Sequence, residues 1–290
     1  MTIFTFPFMQ YALLGALITG LAAPALGTYL VQRRLALIGD GIGHVALTGV
    51  AVGLLTATSP VLTAMAVAAA GAIAIELVRA RGRTSGDVAL AVLFYGGIAG
   101  GVFLVSLSDG NTTANLNAYL FGSPLTTSRT DLLTMAVLGG LVLAVTLGLR
   151  PWLFAVCQDE EYARVSGLPV RGLNLLLAIT TAVTVTVAMR AVGLLLVSAL
   201  MVVPVATAQL VASGFRSTQR LAMLIGVAVA GGGVAIAGLS DTAPGATIVL
   251  LAIGLFALVT LASAVRRRWQ RTRPEPPEPV RPPSRVVLTR

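Results

Sequence analysis

Nine stretches of predominantly apolar residues recur along the chain, and each is about as long as a membrane-spanning helix. A helix needs about 20 such residues to cross the ~30 Å hydrocarbon core of a bilayer. Only 11% of the residues are charged, against roughly 25% in soluble domains, which excludes a soluble globular fold. The sequence therefore predicts an all-α, polytopic transmembrane helical bundle with about nine spans, at 9–31, 35–55, 61–78, 88–107, 132–149, 173–189, 192–211, 221–239 and 245–265.

The arginines between these stretches predict the orientation, because basic residues concentrate in cytoplasmic loops. With the N-terminus outside, ten arginines before residue 266 fall inside, and only Arg129 and Arg190 fall outside. We therefore expect an N-out, C-in topology with an odd number of spans; eight spans with one re-entrant segment is the alternative. The chain starts without a basic n-region or an A-x-A-like cleavage site, so the first span is expected to be retained.

Most of the net charge of +9 lies at the C-terminal end. Residues 266–290 contain eight arginines, two glutamates and the Pro-rich run PEPPEPVRPPS. Such a run favours an extended polyproline conformation over packing. We expect residues 1–265 to form the transmembrane domain and residues 266–290 an Arg/Pro-rich disordered cytoplasmic tail. The net charge is then explained by the arginines of the cytoplasmic loops and of this tail, and no nucleic-acid partner is expected.

Two ionisable residues in the second span need a reason to be there. A charge in the hydrocarbon region costs at least ~2.5–3.5 kcal/mol. Asp40 and His44 are spaced i, i+4, so both side chains lie on one helical face. If the helix starts near Leu35, His44 lies about 14 Å along it, close to the membrane midplane. Glu76 and Asp131, by contrast, fall at span ends, where solvated helix caps are expected.

A carboxylate and an imidazole on one face form half of a first-row divalent metal site. A two-fold axis beside this helix would complete an Asp2His2 set in a homodimer. The structural alternative is that His44 hydrogen-bonds Asp40 or a carbonyl and only steadies the bundle. Small-residue pairs at Gly39 with Gly43 and at Gly49 with Gly53 would permit close helix approach nearby.

The longest inside connection, residues 150–171, carries the signals of a short helix outside the membrane. Asp159, Glu160 and Glu161 suit its first turn, Gly167 can end it as a C-cap, and Pro169 follows. An interfacial loop helix and a lever that docks into a soluble partner are both compatible with this spacing.

Five motifs in the same order resemble the membrane subunit of bacterial ATP-binding-cassette importers for zinc, manganese or ferrous iron. They read RRLALIGDGIGHVALTGVAVGLL, LNAYLFGSPLTTSRTDL, DEEYARVSGLPV, AVGLLLVSALMVVPVATA and SDTAPGATIVL. The resemblance implies a homodimeric permease in the bacterial plasma membrane. It implies two further partners, a cytoplasmic ATPase and an extracytoplasmic metal-binding protein.

The resemblance also assigns residues. Asp40 and His44 correspond to the metal site on the dimer axis, and residues 159–170 to the coupling helix that seats in the ATPase. The coupling residues are then Asp159, Glu160, Glu161, Ala163 and Gly167. Pro204, in VVPVATA, would kink the seventh span at a bend in a moving helix. Gly43 stands where the family usually has Ser or Ala, and the tail is longer and more Pro-rich than the family pattern requires; neither departure removes a ligand.

These features predict a transport subunit rather than an enzyme. The chain has no G-x-x-x-x-G-K-[ST] motif, so ATP would be hydrolysed by another polypeptide. No permanently bound cofactor is expected, and the expected cargo is a divalent metal, zinc or manganese ahead of ferrous iron. One alternative is an ATP-independent carrier in which Asp40 exchanges protons for metal. Another is an intramembrane hydrolase using His44 and Ser198, although Ser198 lies in no G-x-S-x-G turn.

Overall fold

The computed structural model describes residues 7–80, 86–107, 119–120, 122, 128–240 and 242–271. These residues form eleven helices and no strand, which confirms the all-α prediction for the described part of the chain. The helices are α1 (Pro7–Gln32), α2 (Ile38–Leu55), α3 (Pro60–Ala80), α4 (Gly86–Ser106), α5 (Arg129–Gly148), α6 (Arg150–Gln158), α7 (Glu160–Val165), α8 (Val170–Ala191), α9 (Leu194–Gln209), α10 (Phe215–Ser240) and α11 (Pro244–Arg271).

Eight of these helices are long and apolar enough to cross a membrane, namely α1 to α5, α8, α10 and α11. The stretch predicted as the seventh span is the 16-residue α9. Its length corresponds to about 24 Å, less than the ~30 Å hydrocarbon core. One end of α9 lies near Gly245 at the start of α11, and the other clusters with Val31 and Ala222. It therefore runs between the two ends of the bundle, and the count of nine crossings stays a prediction.

Helices α1, α2 and α8 form the centre of the bundle, because most of their residues are buried. Helix α1 packs on α5, α8, α9 and α10, whereas α2 packs on α3, α4, α8 and α9. Helices α3, α4, α5 and α11 are mostly exposed and present apolar side chains outward. An outer layer of this kind is what lipid or a second apolar surface would cover.

The predicted glycine contacts bring α2 close to its neighbours. A Cβ added at Gly49 would lie 2.6 Å from the Cα of Ala64 on α3. One added at Gly97 of α4 would lie 2.6 Å from the carbonyl carbon of His44. Only glycine permits such backbone approach, so α3 and α4 are held directly against the helix that carries Asp40 and His44.

Hydrogen bonds gather distant parts of the chain at one end of the bundle. The Tyr29 hydroxyl donates to the carbonyl of Thr146, and the Gln219 side chain donates to the carbonyl of Ala25. The described arginines of the predicted inside connections lie at this end, here called the arginine-rich end. It holds Arg33, Arg34, Arg79, Arg150, Arg164, Arg171, Arg216 and Arg220.

Three expectations are corrected. Helix α2 begins at Ile38 rather than near Leu35, since a turn follows α1. Glu76 is buried and lies 3.6 Å from the guanidinium of Arg79, so it is not a solvated cap. Helix α11 continues through residues 266–271, so the predicted tail does not begin at 266 as an irregular segment; residues 272–290 lie outside the described residues. Asp131 does form a cap, in a reciprocal capping box with Ser128.

Candidate metal site and coupling surface

Asp40 lies in the first turn of α2, and His44 follows one turn later. His44 is six residues from the start of the helix, about 9 Å along it rather than the expected 14 Å. Both side chains are partly exposed, and the Asp40 carboxylate acts electrostatically on the imidazole. The first turn also favours an acid through the helix dipole. His44 is therefore the more unusual member of this pair.

The imidazole of His44 is held by packing rather than by a hydrogen bond at Nδ1. Its ring meets the ring of Phe94 edge-on, with centroids 4.5 Å apart. The Thr48 hydroxyl, one turn further along α2, donates to the carbonyl of Gly97 and fixes α4 beside it. The Nδ1 atom is buried and has no hydrogen-bond partner among the described residues. This atom therefore does not cross-link the described helices.

Helix α9 places two further groups beside Gly39, the residue that precedes Asp40. A Cβ added at Gly39 would lie 3.1 Å from Oγ of Ser198 and 3.4 Å from Sδ of Met201. Oγ of Ser198 is buried and, within the described part of the chain, also lacks a partner. Sequence reasoning considered Ser198 only as a nucleophile and missed Met201. The only signal for their placement was the small residue at position 39.

The described part of one protomer holds no metal cluster built from His, Cys, Asp and Glu alone. Among the described residues, no group of three or more His, Cys, Asp and Glu side chains could hold an ion. A tetrahedral first-row metal site needs about four ligands. If Asp40 and His44 bind a metal, any further His, Cys, Asp or Glu ligand comes from outside the described residues of this chain.

The predicted short helix is α7, and its ends follow the expected chemistry. The Asp159 side chain accepts a hydrogen bond from the amide of Tyr162 at 2.9 Å, and Glu160 and Glu161 occupy the first turn. Gly167 follows the helix with φ of +82°. Its amide bonds to the carbonyl of Arg164, and the next amide bonds to the carbonyl of Ala163. These two bonds form a Schellman motif, so Gly167 ends the helix as predicted.

The residues assigned to coupling do not all face the same way. Ala163 is fully buried and Glu160 is partly buried, whereas Asp159 and Glu161 are exposed. Two apolar side chains that sequence reasoning did not select are also exposed on α7. Tyr162 is 69% exposed and Val165 is 88% exposed. Exposed apolar groups on a polar helix are typical of a contact surface.

Glu160 connects α7 to the ends of two spanning helices. Its Oε2 lies 3.2 Å from Nη2 of Arg33, and its Oε1 accepts from Nδ2 of Asn174 on α8 at 3.1 Å. Nη1 of Arg33 donates to Oδ1 of Asn174 at 2.8 Å. Burial, together with Arg79, lowers the pKa of Arg33, and Glu160 opposes that shift. An arginine in this position stays charged, so this cluster is a charged cross-link.

Helix α6 was not predicted. It packs Leu153 and Val156 into the core and leaves Trp152 half exposed. Pro151 at its start was the available signal. Pro204 lies inside α9, as the sequence indicated, and a second proline, Pro24, lies inside α1.

The comparisons with known proteins agree on one family. The model of the ABC 3 transport family matches residues 5–263. The manganese transport system membrane protein MntC of Halalkalibacterium halodurans is 32% identical over 271 residues, covering 92% of both chains. The high-affinity zinc uptake system membrane protein ZnuB of Haemophilus influenzae is 29% identical over 249 residues, covering 85% of this chain and 94% of that protein.

A solved structure agrees with these relatives. PsaBC from Streptococcus pneumoniae, in complex with Fab, superposes with a TM-score of 0.83 at 26% identity. The match covers 94% of this chain and 98% of that chain. The resemblance drawn from the five motifs is confirmed. The chain belongs to the ABC 3 transport family and is a multi-pass membrane protein of the bacterial plasma membrane.

Proposed function

We propose that the chain is the permease subunit of an ATP-binding-cassette importer that carries zinc, manganese or ferrous iron into the cytoplasm. The observation that carries this proposal is the geometry of Asp40 and His44. They share one face of a central helix, and the buried Nδ1 of His44 has no partner in the described part of the chain. The names of the curated relatives, a manganese and a zinc transport protein, support the same class of cargo.

The metal site is completed by a second copy of the chain. Two protomers related by a two-fold axis beside α2 would supply two carboxylates and two imidazoles, the Asp2His2 set. This ligand type accepts zinc, manganese and ferrous iron. The metal would be handed over by an extracytoplasmic metal-binding protein and would exchange its hydration shell for these four groups.

The energy comes from a separate cytoplasmic ATPase. Helix α7 presents Tyr162 and Val165 outward as the contact surface. Behind that surface, Glu160 holds Arg33, which lies seven residues before Asp40 in the chain. Movement of α7 would therefore pull on the turn between α1 and α2, and so on the metal ligands. Alternating access then opens the site inward, with Pro204 as a bend in α9.

Family membership favours this mechanism over the two alternatives. A stand-alone cation carrier would not need a surface such as α7. A hydrolase would need Ser198 placed against His44, but Ser198 packs on Gly39. The N-out, C-in orientation is part of the proposal and is supported by the gathering of arginines at one end of the bundle.

Uptake of radiolabelled manganese and zinc by proteoliposomes containing the permease and its ATPase tests the proposal. His44→Gln and Asp40→Asn should each lower uptake at least about tenfold, as loss of a metal-site group does. Thr56→Val, at the other end of α2, is the matched control and should transport normally. Unimpaired uptake by both site variants would contradict the proposed metal site. Uptake that persists without ATP, at a constant proton gradient, would favour the secondary carrier.

A further inference from the structure

A basic cavity at the arginine-rich end has no part in the proposed metal pathway. It has a volume of about 660 Å³, within the roughly 300–1,000 Å³ typical of small-molecule sites. Three arginines define it, and we call it the arginine cavity. Its lining residues are Arg150, Pro151, Phe154, Gly214, Phe215, Arg216, Ser217 and Arg220.

Within the described ranges of the chain, no acidic side chain neutralises the positive charge of this cavity. None of its described lining residues is acidic. The ion pairs among the described residues involve Arg33, Arg79 and Arg164, not the three cavity arginines. Nε of Arg150 is buried and has no hydrogen-bond partner in the described part of the chain. A buried donor without an acceptor is costly, so the cavity is suited to an anion with several acceptor oxygens.

Local structure adds to this preference. Helix α10 begins at Phe215, and its first amides have no acceptor within the helix. They place a partial positive charge at the same point. The rings of Phe154 and Phe215, with centroids 4.7 Å apart, form an apolar wall beside the arginines. The cavity thus pairs cationic groups with an apolar surface.

The cavity lies at the level of the membrane–water boundary. The spanning helix α5 ends at Gly148, two residues before Arg150. On α10 the apolar sequence begins at Leu221, directly after Arg220. The indole of Trp152, next to the cavity, is half exposed. Tryptophan is enriched at this depth, where lipid headgroups meet water.

The cavity is lined by helices other than those that pack on the metal-bearing helix. Its residues lie on α6 and at the start of α10, which both pack on α1, whereas α2 packs on α3, α4, α8 and α9. Leu224, one turn after Arg220 on α10, and Leu141 on α5 are exposed. An amphiphile with its head in the cavity would find an apolar surface for its acyl chains.

We propose that the arginine cavity binds the phosphate of an acidic phospholipid from the cytoplasmic leaflet. The guanidinium groups of Arg150, Arg216 and Arg220 bind the phosphate oxygens, while the hydroxyl of Ser217 keeps its hydrogen bond to the carbonyl of Gly214. Arginine suits this task because its planar fork matches phosphate oxygens. Basic pockets between spanning helices on the cytoplasmic side bind acidic headgroups for the same reason.

Fluorescence quenching in vesicles tests this site. The chain has two tryptophans, so Trp269→Phe leaves Trp152 as the only reporter. The full-length protein is placed in phosphatidylcholine vesicles containing dibrominated phosphatidylglycerol, or dibrominated phosphatidylcholine at the same mole fraction. Phosphatidylglycerol should quench Trp152 at several-fold lower mole fraction, and each arginine removed should lower that preference about fivefold. High salt should weaken it, because Arg216 and Arg220 are exposed and salt screens their charges.

Matched variants test whether the lipid preference depends on the arginines of the cavity. Arg216→Gln with Arg220→Gln should reduce the preference to near equality, whereas lysine at both positions should retain most of it. Arg34→Gln removes an exposed arginine at the same end and should change nothing. Equal quenching by the two lipids in the parent protein, or a preference that survives the double glutamine variant, would overturn the proposal.

Two further results would overturn the proposal, because each would show a different occupant of the cavity. If excess inorganic phosphate removes the preference, the cavity binds free anions rather than lipid. If the double glutamine variant loses the ATPase during purification while its lipid preference is unchanged, the cavity belongs to a protein interface. The lipid test needs neither metal nor ATP, so its failure is distinct from failure of the transport proposal.

Discussion

Nη2 of Arg33 lies 3.2 Å from Oε2 of Glu160 and joins the end of α1 to the first turn of α7. The arginine side chain is 8% exposed and the glutamate side chain 40%. Asn174 on α8 bonds to both partners. The carboxylate therefore holds three segments together at the arginine-rich end, at the point where the proposed ATPase would push on the permease.

Replacing Glu160 should destabilise the permease, whereas replacing its neighbour should not. Glu160→Gln leaves the buried Arg33 without its counter-charge, which should cost about 1–3 kcal/mol of unfolding free energy. Glu161→Gln alters an exposed side chain and should change stability by less than ~0.5 kcal/mol. Thermal unfolding of both variants in the same detergent compares them directly. Equal melting temperatures would show that the Arg33 contact contributes nothing.

A charged residue on the outer face of α7 should weaken binding of the ATPase without affecting folding of the permease. Val165→Asp alters a side chain that is almost fully exposed, so the permease should fold normally. If Val165 docks into the ATPase, a buried unpaired carboxylate at that contact should weaken association by at least about tenfold. Co-purification of the two subunits measures this. Normal assembly by both Val165→Asp and Tyr162→Asp would contradict the assignment.

The spans and the ends of α7 could be predicted from sequence because they depend on local chemistry. About 20 apolar residues define a span, and Asp159 and Gly167 define a capped helix. The partner of Glu160 could not be predicted, since Arg33 is 127 residues away in the chain and one sequence carries no contact information. Burial of Glu76 was missed for the same reason, because its position at a span end suggested solvent.

The candidate metal site was predicted only in part. The i, i+4 spacing placed Asp40 and His44 on one face, but the later start of α2 moved both residues nearer to the arginine-rich end. The turn that delays the helix follows Arg34, which has a positive φ of 59° that no residue type signalled. Helix α6 was missed because its nine residues are too short to show periodicity.

The free thiol of Cys157 should react slowly at neutral pH. Burial raises its pKa to about 11, with Glu160 adding to the shift and Arg33 and Arg79 opposing it. Only the thiolate is nucleophilic, so about 0.1% of the thiol is reactive at pH 8. The alkylation rate should rise about tenfold per pH unit until the pH approaches that pKa. Mass spectrometry after iodoacetamide treatment follows it, with Cys157→Ser/Ser166→Cys as the exposed control, which should react fast at pH 8.

Alanine in place of Gly167 should lower the stability of the protein, whereas alanine in place of Gly172 should not. The left-handed conformation of Gly167 costs an L-residue roughly 1–2 kcal/mol, and alanine there should lower stability by about that amount. Gly172 lies in the first helical turn of α8 with open space around it, so alanine should be neutral or stabilising. Thermal unfolding of the two variants measures the difference. A Gly167→Ala variant as stable as the parent would contradict the strained geometry.

The purified protein should contain one metal ion for every two chains. In the proposed site Asp40 and His44 would make half of a four-ligand set, and the described part of the chain holds no group of three or more His, Cys, Asp and Glu side chains that could hold an ion. A dimer purified with zinc should therefore contain one ion at the shared site, and His44→Gln should contain none. Chelation should lower the melting temperature of the dimer, because a ligand that binds only the folded state stabilises it by mass action. Elemental analysis with a quantified chain concentration decides the ratio. One ion per chain, or unchanged metal content in His44→Gln, would move the site away from the two-fold axis and require ligands other than this pair.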